Sequence, residues 1–181
     1  MKMRIIKGLA LLTAAMLWLS GCQGINPGRT EDSEKEHNSS ALSVIPDFSL
    51  SDMQGNVVTG DVFKDYDYTI VNVWATSCSP CIEELPLLQN ISKEQAVNRI
   101  GVIGIVADGM GAAPQANEML QTLGISFVNL LPDENFQEQF IGKQSAVPYT
   151  MIVDQNGNIL KFVMGSQTEL QFQKMIGEIL N

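Results

Sequence analysis

Cysteine and histidine are scarce in this chain, with three of the first and one of the second among 181 residues. So few cannot form a disulfide scaffold, nor can they close a four-ligand zinc site without carboxylates. Basic residues are few as well: 11 Lys and Arg face 20 Asp and Glu, for a formal net charge of -9. That balance leaves no basic stripe for a phosphate backbone and excludes nucleic acid as an expected partner. No metal and no cofactor is expected. A bilayer-spanning helix needs roughly 20 apolar residues, and the apolar run at residues 8–19 stops well short of that. What is present is ordinary for a globular chain, 45% hydrophobic and 17% charged, at a length that suits one domain with an N-terminal extension.

The extension has its own layout. Lys2, Arg4 and Lys7 precede the apolar run, which has the length of a signal-peptide core. Cleavage is expected rather than permanent spanning, and it leaves 8 basic against 20 acidic residues, a net charge of -12. The run ends in Leu19-Ser20-Gly21-Cys22, which resembles the lipobox of bacterial lipoprotein precursors. The resemblance implies a signal peptide over 1–21 and lipidation of Cys22, with a plain signal peptide or a short uncleaved anchor as the alternative. Residues 22–43 turn to Gly, Asn, Ser, Glu and Asp and read as a flexible tether with a typical span of about 25 Å. His37, the one histidine, lies inside it as a solvated linker residue.

Residues 44–181 read as one α/β unit. Short strands at 48–50 and 57–59 flank Gln54-Gly55-Asn56 as an opening hairpin. A β-rich run at 68–74 forms a central strand, and a helix over 79–92 follows, with Pro80 in its first turn and Pro86 expected to kink its middle. The aliphatic run 100–107 is a strand buried on both faces. A helix over 114–123 stops at Gly124. A strand at 126–131 and a helix at 133–140 come next. Strands at 149–153 and 159–163 pair across Asn156-Gly157. An amphipathic helix over 168–180 closes the chain, with Leu170, Met175, Ile176 and Ile179 expected in the core.

The chemistry gathers at Cys78-Ser79-Pro80-Cys81, where the central strand gives way to a helix. A thiol at a helix N-terminus meets unpaired N–H groups and the positive end of the helix dipole, which favour thiolate. Cys78 is therefore the expected nucleophile. Cys81, one turn further in, is placed to resolve a mixed disulfide on Cys78. Zinc would need more ligands than the domain holds, and a purely structural disulfide closing so short a loop would stabilise little. Reversible redox chemistry is the reading that remains, in keeping with export to an oxidising compartment.

Pro46-Asp47-Phe48, then Val71-Asn72-Val73-Trp74-Ala75-Thr76 leading into the two cysteines, then Glu84-Leu85-Pro86, and finally Val147-Pro148 before Tyr149-Thr150 carry a resemblance in that order. The chain resembles thioredoxin-fold thiol-disulfide oxidoreductases of the TlpA/ResA branch. The resemblance implies a thioredoxin-like fold, a central mixed sheet flanked by helices with an N-terminal β-hairpin extension. One departure is Ser77, where that family usually carries an aromatic residue, so the surface beside Cys78 is smaller and more polar.

Further expectations combine residues and resemblance. Spacing places Glu84 three residues after Cys81 on one helix face, where a solvated carboxylate is the plain reading. The resemblance instead makes Glu84 the active-site acid that carries protons for Cys81, and leaves Glu83 solvated. An X-Pro bond is cis in only about 5–6% of folded cases, yet the resemblance implies a cis Pro148 facing the dithiol, with Val147 offering its backbone to substrate. Ser79 and Pro80 between the cysteines complete the expected substrate surface, with Trp74 as a partly buried wall. The implied function is an extracytoplasmic, monomeric, lipid-anchored reductase of exported proteins with oxidised cysteines, such as apocytochrome c or a methionine sulfoxide reductase. A membrane thiol-electron transporter would supply its electrons. Two alternatives are a peroxiredoxin-like peroxidase, disfavoured by Ala75 where a Thr or Ser is required, and a non-catalytic binding lipoprotein.

Overall fold

The computed structural model describes residues 42–181. The expected signal peptide, Cys22, His37 and nearly all of the expected tether lie outside the described residues.

The chain opens with β1 (Ser49–Asp52) and β2 (Val57–Thr59), paired antiparallel. Asp52 closes the turn between them by accepting from the N–H groups of Gln54 and Asn56, while Gly55 takes the positive φ of +84° that the turn needs. A 3-10 segment, Gly60–Asp65, leads to β3 (Tyr68–Trp74). Then come α1 (Ser79–Glu94), β4 (Ile100–Val106), α2 (Ala113–Thr122), β5 (Val128–Leu131), α3 (Glu134–Gln139), β6 (Tyr149–Asp154), β7 (Ile159–Met164) and α4 (Glu169–Leu180). The strands form one seven-stranded mixed sheet in the order β2-β1-β5-β4-β3-β6-β7. Its centre, β5-β4-β3, is parallel, and its flanks are antiparallel. This is the thioredoxin-like architecture with an added N-terminal hairpin.

Alternation along the central strands divides the core. Ile70 and Trp74 of β3, with Val102 and Val106 of β4, face α1, α2 and α4, meeting Leu85, Leu88, Ala116, Leu120, Phe172 and Met175. Val71, Val73, Ile103 and Ile105 face the other way, onto Phe63, Phe136 and Phe140. Every residue of β4 is buried, as a parallel strand covered on both faces requires.

Several expectations need amendment. The strand expected at 126–131 begins only at Val128; Ser126 instead gives its N–H to Gln89 Oε1 of α1. α1 continues past Pro86 to Glu94, two residues beyond the expected end. In α4, Leu170 is 74% exposed, while Phe172, not foreseen, is wholly buried beside Met175 and Ile176, and Ile179 packs against them. Residues 172, 175, 176 and 179 share one stripe at helical spacing, and Leu170, two positions before Phe172, falls on the opposite side.

Candidate active site

The parallel strands β3 and β4 end together, and the loop after β3 delivers Cys78 to the start of α1. Two contacts hold that loop. The Asp108 carboxylate, just beyond β4, accepts from both the backbone N–H and the hydroxyl of Thr76, at 2.6 and 2.8 Å. The Ala107 N–H donates to the Trp74 carbonyl at 2.7 Å. Cys78 is the N-cap of α1 and its Sγ accepts from the Cys81 N–H at 3.3 Å. A sulfur in that place meets the unpaired donors of the first helical turn, which favours negative charge on it.

Cys78 and Cys81 are joined as a disulfide, with an S–S distance of 2.04 Å and a Cα–Cα distance of 5.3 Å. The two ends of the bond are unequal. Cys78 is half-buried between exposed Ser77 and Ser79, whereas Cys81 is fully buried against Leu85 and Trp74 in the core. An incoming group can therefore reach Cys78 and not Cys81. Val147 and Pro148 lie opposite: their peptide bond is cis, and the Val147 carbonyl oxygen stands 3.8 Å from Cys78 Sγ. Val147 is partly exposed and Pro148 is buried, so the surface beside the sulfur is made of Val147, Ser77, Ser79 and Pro80.

Trp74 does not belong to that surface. Expected as a partly buried wall, it is fully buried, and its Nε1 donates to Asn129 Oδ1 at 2.9 Å. The reason lies in β4. A Cβ on Gly104 would stand 2.0 Å from Asn129 Oδ1 and 3.2 Å from Trp74 Nε1, so glycine there leaves the space in which the two side chains meet. Trp74 lies under the loop and exposes no surface beside the dithiol.

Glu84 is buried too, only 3% exposed, which overturns the solvated reading that spacing alone favours. Its Oε1 accepts from the Gln167 N–H at 2.6 Å and its Oε2 from Asn72 Nδ2 at 3.1 Å. Burial pushes the carboxyl above its ordinary range, against a smaller pull downward from the Gln167 and Asn72 hydrogen bonds. Glu83, one residue earlier, is exposed.

Asn72, Thr150 and Gln167 are the site residues that sequence reasoning missed. Asn72 Nδ2 also donates to Thr150 Oγ1 at 3.0 Å, directly across the β3–β6 pairing, while Asn72 Oδ1 has no partner. Strand register puts Thr150, Asn72, Gly104 and Asn129 in one transverse row under α1. A signal existed for Asn72, because a polar residue inside an apolar central strand must find a buried partner. Gln167 acts through its backbone, which no side-chain pattern reports. Among the described residues, no cluster of three or more His, Cys, Asp or Glu is arranged to hold a metal, and no helix is long and apolar enough to cross a membrane.

Known proteins resemble the chain in keeping with this arrangement. The thioredoxin-like protein YneN of Bacillus subtilis is 25% identical over 162 residues, covering 89% of this chain and 92% of its own. The thiol-disulfide oxidoreductase ResA of the same organism is 26% identical over 137 residues, or 75% and 72% of the two chains. Among solved structures, a thiol:disulfide interchange protein from Chlorobium tepidum superposes with a TM-score of 0.66 at 22% identity, over 77% of this chain and 97% of that one. StoA from Bacillus subtilis superposes at 0.59 and 17%, over 74% and 98%. Those structures share the fold. The AhpC/TSA family model matches residues 42–163, spanning the hairpin, the dithiol helix, Pro148 and the strand that carries Thr150, and the chain accordingly belongs to the AhpC/TSA family.

Proposed function

We propose that this chain is a thiol-disulfide oxidoreductase that works as a reductase of disulfides in exported proteins, with Cys78, Cys81 and Glu84 as its catalytic residues. The observation that carries the reading is the inequality of the one disulfide: a reachable Cys78 at a helix N-cap, a sealed Cys81, and a buried acid one turn on. In the reduced protein, the Cys78 thiolate attacks a client disulfide and one client sulfur leaves as thiolate. Cys81 then passes its proton to Glu84 and attacks Cys78 Sγ, which frees the second client thiolate. Two electrons move to the client and the 78–81 disulfide forms. Burial brings the Glu84 carboxyl toward the working range of a proton acceptor for a thiol.

The remaining parts of the reading are proposals of the same kind. Residues 44–181 form the catalytic domain, and residues 22–43 tether it to a lipidated Cys22, which holds it outside the cytoplasm against the bacterial membrane. Clients are exported proteins with oxidised cysteines, of the kind represented by apocytochrome c or methionine sulfoxide reductase. They dock along Val147, Ser79 and Pro80. A membrane thiol-electron transporter returns the electrons. Trapping tests the scheme: Cys81→Ser leaves Cys78 able to attack but not to be released, so clients accumulate as mixed disulfides. A Cys78 no more reactive toward a thiol reagent at neutral pH than a free thiol would instead mark a non-catalytic binding module.

The family match supports a second reading, a peroxidase in which Cys78 attacks a peroxide, becomes a sulfenic acid and condenses with Cys81, with release of water. Ala75 stands three residues before Cys78, where a peroxidatic cysteine needs a hydroxyl, and it offers none. Peroxide consumption is accordingly expected no faster than with a free thiol, while reduction of a disulfide peptide proceeds.

A further inference from the structure

Asn72 binds the candidate acid from the sheet with a carboxamide only half satisfied. Nδ2 donates twice, to Glu84 Oε2 and to Thr150 Oγ1, while Oδ1 is buried and unpartnered. A carboxamide has nearly the same shape with its oxygen and nitrogen exchanged, so half a turn about its last bond needs no repacking. The two orientations differ in what they offer Glu84. The one observed gives it a donor, which suits a carboxylate. The reversed one gives it an acceptor, which suits a carboxylic acid. Thr150 serves both, since a hydroxyl accepts from Nδ2 or donates to Oδ1 equally well. On the far side the observed orientation leaves a carbonyl oxygen unpartnered and the reversed one would leave two N–H groups, so that side favours the observed orientation. The reversed one is reached only when a proton on Glu84 Oε2 needs an acceptor.

We infer that Asn72 is a positioning residue whose carboxamide turns over as Glu84 takes up a proton, donating to the carboxylate and accepting from the acid. The inference rests on the reading of Glu84 as proton acceptor for Cys81. It adds a function to the pair: as the proton leaves Cys81, the turned amide holds it on Oε2, and the return of the amide accompanies its release. Without the turn, a protonated Oε2 would face the N–H of Asn72 and lack an acceptor. Asn72 reaches Glu84 from β3, Thr150 reaches Asn72 from β6, the Gln167 N–H arrives from the segment before α4, and Cys81 lies a turn earlier on the same helix. None of these is charged in the disulfide form. A titration there reports Glu84 itself.

The oxidised wild-type protein provides the direct test by nuclear magnetic resonance. The Glu84 carboxyl carbon shift gives the midpoint of its titration. Above that midpoint, the Asn72 amide protons should show cross-peaks to the side chains of Thr150 and Glu84, and these should vanish together with the same midpoint as the pH falls. Cross-peaks that persist through the titration would overturn the inference. A kinetic test follows resolution of the mixed disulfide. Asn72→Leu should slow it about tenfold, less than a full acid–base effect because Gln167 still holds the other oxygen. In a Glu84→Gln background the same change should add nothing, because Asn72 acts through Glu84. Equal slowing in both backgrounds would show a structural role and overturn the inference. If Glu84→Gln resolved at the wild-type rate, the catalytic reading of Glu84 would fall and take the catalytic half of this inference with it. Persistent cross-peaks beside a slow Glu84→Gln variant would remove the turning amide alone.

Discussion

At the scale of single residues, two neighbouring carboxylates separate by environment. Glu84 is buried and doubly hydrogen-bonded; Glu83 is exposed. In Glu84→Gln the first attack by Cys78 should stay near normal while resolution slows by about 10²-fold or more, the lower range of general acid–base assistance. Glu83→Gln should change neither step by more than about threefold, since a solvated charge acts through screened water. Stopped-flow fluorescence of Trp74, which lies under the dithiol loop, can separate the steps. Equal behaviour of the two variants would remove Glu84 from the mechanism. Glu84 also leaves a mark on stability. Its folded-state proton affinity is raised by burial, so the folded protein gains from Glu84 below the ordinary carboxylate range and loses that gain as pH rises through the raised value. Oxidised Glu84→Gln should therefore melt above wild type at pH 7, with the advantage fading on acidification toward the ordinary value of 4.5. A constant difference across pH would exclude this origin.

At the scale of elements, a glycine and a phenylalanine carry weight that their positions alone do not announce. Gly104 of β4 leaves room for the Trp74–Asn129 hydrogen bond, and a Cβ there would collide with Asn129. Gly104→Ala is expected to destabilise by about 2–4 kcal/mol, combining overpacking with a lost buried bond. Denaturant unfolding would measure it, and a shifted Trp74 emission in the folded state would locate it. In α4, Phe172→Ala should cost about 3–5 kcal/mol, as for a large aromatic removed from a core. Leu170→Ala, on the solvent side, should stay within about 0.5 kcal/mol. Comparable losses would mean that the helix sits in another register. The Thr168–Gln171 capping box sets where that helix starts, and so which side of it faces the sheet.

At the scale of the whole molecule, redox direction and place of work each have a direct measurement. Ser79 and Pro80 put no charge between the cysteines, so nothing in that pair favours the thiolate strongly, as a strong oxidant of this fold requires. Equilibration with glutathione should give a low potential; a value near the about -120 mV of the most oxidising proteins of this kind would reverse the assignment to an oxidant. Lipidation is tested by growth with labelled fatty acid, which should mark the wild-type chain and not Cys22→Ser. Label on both would remove Cys22 as the anchor.

Some of this was legible in residues alone. The strand runs, the turn glycines at 55 and 157 and the unequal burial of two cysteines at a helix start follow from local rules, because turn geometry, alternation and helix spacing act within a few residues. The full burial of Trp74 and the cross-strand bond of Asn72 are not legible locally, because Asn129 and Thr150 lie 55 and 78 residues away in sequence, on β5 and β6. Only strand order makes them neighbours. Glu84 shows the division most sharply: helical spacing set it one turn from Cys81, but whether it met water or the Gln167 N–H depended on the loop before α4 folding over it. Burial is a property of everything packed around a group, and no single stretch of chain contains it.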